Sequence, residues 1–527
     1  MRPLTAIVLG AVALRLAILA LRHDAPIDME GANYARLAQN LHDGLGYVSI
    51  RGTVGTEYAP FYPLTIAALL PIVPDAQFAG ELIAVFFGAL LVAAVWLLCV
   101  EVANPIVATV AALLVAVAPI LVTLSTSVLT ETPFAALLVL GIWFFLRTLR
   151  RWRAGDAAGA GAAFALAFLT RPEGAAFVVL AGLTLTAAVL RRPGSLRPFA
   201  AFAAVTALFV LPFVWFTYYT SGHVVFDGKS RINAVEAAGL RAGHSYLEVA
   251  DAVAADGRPI GPEINLAYHD PRGEAPAPPM GDRAVMALGA ELRHVRDLEY
   301  SFRLPAFGSW PLVTLALLGL IASTRTRERR LANIVILVSV ATLYLALGSV
   351  WHFWERYAAV FLVFAIVYAS QGVEAARAWS RSRRMPDIGV FTLAALVALS
   401  LAVDARQALA RIDAPERNLG GWLASHARGA LVIDASNLAA YYGDAKWLPL
   451  PYAPERASRA FLDRTQPDFV VLDARRRNDY PLLARWFENT PPAADAVLVF
   501  TAASADGPLR LFRYRASAHR RLGLHGP

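Results

Sequence analysis

The sequence predicts a mainly α-helical, polytopic membrane protein with about eleven spanning helices, amphipathic external helices and a small C-terminal α/β domain. Three observations carry that prediction. Of 527 residues, 57% are hydrophobic and 17% charged, against about 45–50% and about 25% in soluble domains. Apolar runs of roughly spanning length recur as far as residue 403, and a spanning helix needs about 20 such residues. Arginine clusters stand at alternate junctions between the runs, the pattern that orients membrane helices.

The formal net charge is +8. A basic balance also suits nucleic acid, but no basic face with interleaved aromatics occurs, which argues against that partner. Cys99 is the one cysteine, so neither an intramolecular disulfide nor a multi-cysteine metal site is available. It reads as a small buried hydrophobe.

The eleven segments run roughly over 4–21, 78–100, 105–124, 131–149, 157–170, 173–190, 199–219, 306–323, 331–350, 356–374 and 387–403. The first lacks a small-x-small cleavage site and reads as a retained helix. Arg147, Arg150, Arg151 and Arg153 follow the fourth segment, and Arg191, Arg192 and Arg197 follow the sixth. Arg325, Arg327, Arg329 and Arg330 follow the eighth, and Arg377, Arg381, Arg383 and Arg384 the tenth. These loops are expected to be cytoplasmic, with the N-terminus inside and the C-terminal domain extracytoplasmic. The loop after the second segment breaks the trend, with Glu101 and no base. Arg15, within the first segment, is expected to snorkel or to pair inside the bundle.

The expected domains are a transmembrane module, 1–403, carrying external loops 22–77 and 220–305, and an extracytoplasmic α/β domain, 404–527. The cytoplasmic loops are too short for a nucleotide-sugar or ATP domain, and no G-x-x-x-x-G-K-[ST] motif occurs. Chemistry is therefore expected on the external face. In the first loop, Tyr34, Leu37, Ala38 and Leu41 recur at helical spacing, which predicts an amphipathic helix lying on the membrane surface. Asp28 is a natural N-cap, and Glu30 falls in the first turn. A short apolar segment, 64–73, is too short to span. Loop 220–305 holds Lys229 and Arg231 and a Pro-rich stretch; it reads as partly helical and partly mobile. In the C-terminal domain, Leu431–Asp434, Phe469–Asp473 and Ala496–Phe500 read as short buried strands. Asp434 and Asp473, at strand ends, read as loop-capping acids.

Acids and bases beside spanning helices are costly unless they work or pair. Four places stand out on the expected outer side: Asp28 with Glu30, Glu131, Arg171-Pro172-Glu173-Gly174, and the segment from His352 to Tyr357. The topology predicts that these turns share one membrane face. A carboxylate can take the proton from an acceptor hydroxyl. An arginine or lysine can stabilise a departing phosphate. Acids plus arginines at a bilayer surface suit a reaction whose leaving group is a lipid phosphate. The bland alternative is helix capping by Asp28 and Glu30, an Arg171–Glu173 pair and a Glu355–Arg356 pair.

These residues form motifs. Glu30-x-x-x-Tyr34-Ala35-x-x-Ala38-x-Asn40-Leu41, Gly44-x-Gly46-Tyr47 and Pro60-x-Tyr62-Pro63-Leu64 resemble the first external loop of GT-C glycosyltransferases. The nearest branch is the polyprenyl-phosphate-mannose protein mannosyltransferase and aminoarabinose-transferase-like group. Thr130-Glu131-Thr132 resembles its second acidic motif, Leu169 to Gly174 its R-P-E-G hairpin, and Glu355-Arg356-Tyr357 its R-Y motif. The resemblance covers roughly residues 1–375. It implies an inverting transferase that moves a sugar from a polyprenyl-phosphate donor to an acceptor hydroxyl, in the cytoplasmic (inner) membrane of a bacterium. It implies a first-loop acid as base: Glu30 by register, with Asp28 as the other choice. Glu131 would orient the acceptor or the base. Arg171, Lys229, Arg231, Arg356 and Tyr357 would hold the donor phosphate. Tyr34, Glu57, Tyr62 and His352 would meet sugar or acceptor.

No dense metal-ligand cluster occurs, and a carboxylate base does not require a metal; a divalent metal stays open. The acceptor stays open among protein, lipid and polysaccharide. Two other classes compete. A lipid-linked sugar transporter or flippase would show internal repeats and midplane charges, and no repeat is present. A non-catalytic envelope assembly protein would use residues 404–527 to bind a partner.

Overall fold

The computed structural model describes residues 2–191, 196–221, 229–266, 295–304, 309–324, 329–347, 355–410, 413–488, 492–493 and 496–514. By contacts the chain forms two compact units. One comprises Met1–His23, Thr56–Ser230 and Met280–Ala410; the other comprises Asp24–Gly55, Arg231–Pro279 and Arg411–Pro527. The sequence reading put its boundary at 403/404 and kept both external loops with the spans. By contacts, most of the first loop and part of the second belong with the C-terminal domain.

The first unit is a helical bundle. Eight helices among the described residues are long and apolar enough to cross a membrane: Arg2–Leu21, Ala76–Val102, Glu131–Arg151, Gly174–Arg191, Leu196–Thr220, Arg330–Leu347, Glu355–Ser382 and Ile388–Ala408. The shorter apolar helices Pro105–Val117, Ala154–Phe168 and Trp310–Thr324 occupy the other three expected segments. The expected span 105–124 is two helices, because Pro119 starts a second one at Pro119–Leu124. Proline has no N–H to continue the ladder. Small residues let neighbouring helices touch. A Cβ on Gly372 would stand 2.0 Å from the Leu315 carbonyl oxygen, and one on Gly319 would stand 1.8 Å from that of Tyr368.

Two charges that the sequence singles out in this unit have partners. Arg15 is buried, and its Nε donates to Ser125 Oγ at 2.6 Å. Its Nη1 donates to the carbonyls of Ala11 and Ala116. Gly88 leaves room for it, since a Cβ there would lie 2.7 Å from Arg15 Nε. Arg15 therefore bonds inside the bundle rather than snorkelling. Glu101, the exception to the arginine pattern, pairs with Arg150 and Arg151 at 2.9 and 3.1 Å.

The second unit is built on a mixed five-stranded sheet of order β2-β1-β3-β5-β4. Its strands are β1 (Leu431–Asp434), β2 (Lys446–Pro449), β3 (Phe469–Asp473), β4 (Val497–Ala502) and β5 (Leu509–Arg513). β1 lies parallel to β2 and β3; β5 runs antiparallel to β3 and β4. β1 and β3 fall on expected strands; β2 and β5 do not. β2 opens on an exposed lysine and closes on Pro449, so it has no apolar run. The expected buried strand at 496–500 is an edge strand, with Val497 and Leu498 half-exposed. Phe461, Tyr480, Trp486 and Phe487 pack the core beneath the sheet.

The first-loop helix, Met29–His42, belongs to this unit. All eight residues from Gly31 to Ala38 are buried. That replaces the expected one-sided helix on a membrane surface. The reason is a set of partners from distant sequence. Arg36 bonds Asp444 and donates to the Tyr441 carbonyl at 3.0 Å. Trp447 N donates to Ile50 O at 3.0 Å, tying β2 to the stretch after the helix.

Candidate active site

The candidate residues fall into two groups, one per unit. In the helical unit, Glu131 opens the helix Glu131–Arg151 and is 2% exposed. Its Oε1 lies 3.0 Å from Arg171 Nη1 and 3.2 Å from Arg356 Nε. Its Oε2 has no hydrogen-bond partner among the described residues. Arg171 also donates to Thr130 Oγ1 at 3.3 Å and to both oxygens of Glu173, at 3.4 and 3.2 Å. Tyr357 presents its ring to both guanidiniums, with centroid distances of 4.9 Å to Arg171 and 5.5 Å to Arg356. Three turns distant in sequence thus meet around one buried carboxylate. Unpaired, such an acid would be strongly disfavoured. The tight Gly174 turn permits the hairpin: a Cβ there would lie 2.3 Å from Phe168 N.

Arg171 is the hub of this cluster, largely committed to acids. Arg356 meets Glu131 through Nε and has 22% of its side chain exposed, against 12% for Arg171. Glu57 is buried just before the helix Phe61–Leu69. Tyr62, within that helix, donates to Gly80 O at 2.9 Å. His352 lies outside the described residues. Lys229 and Arg231 begin the helix Lys229–Arg241, and their side chains lie outside the description.

In the second unit, Asp28 caps the first-loop helix, its Oδ1 accepting from Glu30 N at 2.8 Å. Tyr34 Oη donates to Glu30 Oε1 at 2.7 Å, one turn on. The expected cap is therefore present, while Glu30 is set by a tyrosine on its own helix. Asp434 and Asp473 also cap: they accept from Ser436 N and Arg475 N at 3.2 and 3.0 Å. Burial pushes the Asp434 carboxyl up to about 8. Asp251 is likewise pushed up to about 8 by burial, Glu263 adding and Arg51 opposing. Arg475 bridges Asp473 and Glu416 and is held charged by them, Asp473 first.

The family model of dolichyl-phosphate-mannose-protein mannosyltransferase matches residues 57–216, the stretch with Glu57, Tyr62, Glu131 and Arg171. No curated protein matches in sequence. Solved structures match over nearly the whole chain. The oligosaccharyltransferase AglB from Archaeoglobus fulgidus, in complex with an inhibitory peptide and a dolichol-phosphate, has a TM-score of 0.62 at 14% identity. That match covers 93% of this chain and 71% of AglB. ArnT from Cupriavidus metallidurans, bound to undecaprenyl phosphate, has a TM-score of 0.56 at 12% identity, covering 96% of this chain and 97% of ArnT. The chain has the GT-C fold. At these identities the likeness is one of fold, shared with AglB and ArnT.

The GT-C bundle also holds an apolar cavity of about 440 Å³. Leu298, Phe302, Trp310, Leu317, Tyr344 and Phe361 are among its lining, together with Glu299 and Arg303. Among the described residues no group of three or more His, Cys, Asp or Glu is placed to hold a metal ion. Sequence reasoning missed Thr130 as a partner of Arg171, and missed the C-terminal residues that touch the first loop. Asn437 Nδ2 donates to Met29 O at 2.7 Å, and Tyr442 Oη accepts from Ile27 N at 2.8 Å. No local pattern flags either one, because both act at a sequence distance of about four hundred residues.

Proposed function

We propose that this GT-C protein is an inverting membrane glycosyltransferase. It takes a sugar from a polyprenyl-phosphate donor and passes it to an acceptor hydroxyl on the outer face of a cytoplasmic membrane. The single observation that carries the reading is the buried Glu131–Arg171–Arg356 cluster, on a fold shared with lipid-phosphate-bound AglB and ArnT.

In this reading the acceptor oxygen attacks the anomeric carbon as the bond from that carbon to the phosphate oxygen breaks. The acceptor proton goes to a first-loop carboxylate. Glu30 is the base by register with Tyr34, which orients it by donating to Oε1, and Asp28, the helix cap, is the other choice. The leaving phosphodiester becomes a lipid phosphomonoester and gains negative charge, which a positioned guanidinium stabilises. Arg356 is the better phosphate ligand, because it is the more exposed of the two guanidiniums. Arg171 and Glu131 then act by fixing Arg356 and Tyr357. Lys229 and Arg231 remain further phosphate candidates, and Tyr34, Glu57, Tyr62 and His352 sugar or acceptor contacts. The apolar cavity takes isoprenyl units of the donor.

The test is release of polyprenyl phosphate by the purified protein in lipid. The donors are undecaprenyl-phosphate-linked mannose, 4-amino-4-deoxyarabinose and galacturonic acid. Release from one donor that is lost in Glu30→Gln supports the reading and names the sugar. No release from any of them, while the folded protein still binds undecaprenyl phosphate, overturns it.

A further inference from the structure

The C-terminal ends of parallel strands in an α/β sheet are where such domains present ligand-binding loops. Here the turn after β1 is held by two side-chain caps. Asp434 Oδ1 accepts from Ser436 N, and Ser436 Oγ accepts from Leu438 N at 3.3 Å. That turn presents Asn437, 1% exposed, to the chain's own first loop.

We propose that the C-terminal domain is a positioning platform for the transfer reaction, acting through a three-point clamp on residues 25–29. Arg417 Nη2 donates to Ala25 O at 3.0 Å. Tyr442 Oη accepts from Ile27 N at 2.8 Å, and Asn437 Nδ2 donates to Met29 O at 2.7 Å. The tethered residues are 25, 27 and 29, the last of them opening the helix. Asp28, between two tethers, is extended (φ −70°, ψ 152°) and exposed. Two further contacts stiffen the arrangement. The Arg417 guanidinium lies over the Tyr442 ring at 5.0 Å, and Arg476 reaches Met29 Sδ at 3.9 Å. The last tether is on the residue directly before Glu30. Fixing that carbonyl fixes the first turn of the helix and the direction in which Glu30 leaves it. Arg417, Tyr442 and Asn437 hold residues 25–29 through hydrogen bonds to the backbone, so they are positioning residues.

This inference rests on Glu30 as base, and the experiment separates the two. Full-length wild type, Asn437→Ala, Asn437→Gln and Tyr442→Phe are compared in lipid nanodiscs. Hydrogen exchange over residues 25–36 is measured beside kcat and KM for whichever undecaprenyl-phosphate sugar the wild type uses. A 1 Å misplacement of a catalytic group can cost on the order of a hundredfold, so Asn437→Ala is expected to lower kcat about tenfold or more. KM for the donor should stay within about twofold, because the clamp holds the base rather than the lipid. Exchange in 29–33 should quicken, and Asn437→Gln, which keeps a donor, should recover part of both effects. Tyr442→Phe removes one hydroxyl and guards against a variant that fails to fold. Unchanged exchange in both Asn437→Ala and Tyr442→Phe overturns the clamp, whether or not the wild type transfers sugar. Faster exchange with unaltered kcat overturns its positioning role. Faster exchange in a protein whose wild type transfers nothing leaves the clamp standing and removes Glu30 as base.

Discussion

Glu131 concentrates the electrostatics of the bundle in one side chain. Two guanidiniums converge on a carboxylate that water barely reaches. Removing one member of a buried ion pair typically costs about 3–5 kcal/mol, because the partner stays buried and uncompensated. Glu131→Gln should therefore lower thermal stability in detergent and abolish transfer together. A double-mutant cycle with Arg171→Met should show coupling of about 1–3 kcal/mol; additive effects would mean that the pair does not interact. Asp434 and Asp251 make a different case. Both carboxyls sit near 8 in the folded protein and near 3.9 in an unfolded chain. The fold thus prefers them protonated. Between pH about 4 and about 8 the unfolded state binds fewer protons, so their contribution to stability is present at low pH and is lost as pH rises toward 8. Asp434→Asn should flatten that slope, read as the change in melting temperature between pH 5 and pH 8.

At the scale of elements, two contacts invite substitution. Helices Ser309–Thr324 and Glu355–Ser382 approach backbone to backbone at Gly319 and Gly372. A methyl at either position meets a carbonyl oxygen of the other helix, and overpacking costs about 1–3 kcal/mol. Gly372→Ala should lower the melting temperature in nanodiscs, whereas the control Gly155→Ala, where a Cβ meets nothing within 4 Å, should not. The apolar cavity lies among these same helices. Ala365→Trp should fill part of it, raising KM for an undecaprenyl-phosphate sugar more than it lowers kcat. Equal KM in the variant would remove the cavity from the donor path.

The whole molecule is built from two units that are each discontinuous in sequence. The sheet unit needs residues 24–55 for the partners of Arg417, Asn437, Asp444 and Trp447. It also needs residues around Ala252, which bridges Tyr452, and Ile264, which lies in its core. A chain of residues 404–527 alone should therefore fail to give a cooperative unfolding transition. Co-expression with 1–403 should rescue it, measured by protection from proteolysis. A cooperative melt for 404–527 alone would show the domain to be self-sufficient.

Whatever repeats locally was legible in the sequence: the apolar segments, the Asp28 cap and strands β1 and β3. Each rests on periodicity or on a cap that acts within a few residues. The acid and arginine motifs were legible as residues, and the arginine rule put their turns on one side. Only the tertiary structure decided which of them pair. It made Arg171 a hub held by Glu131 and Glu173, left Arg356 more exposed, and enclosed the first-loop helix that sequence alone laid on a membrane. It also decided the edges of the sheet: β2 and β5 are strands because neighbours supply their hydrogen bonds, not because their own residues demand it. The physical reason is range. Helix and cap preferences act over one or two turns, whereas Asn437 meets Met29, and Arg356 meets Glu131, only after the chain has folded back on itself.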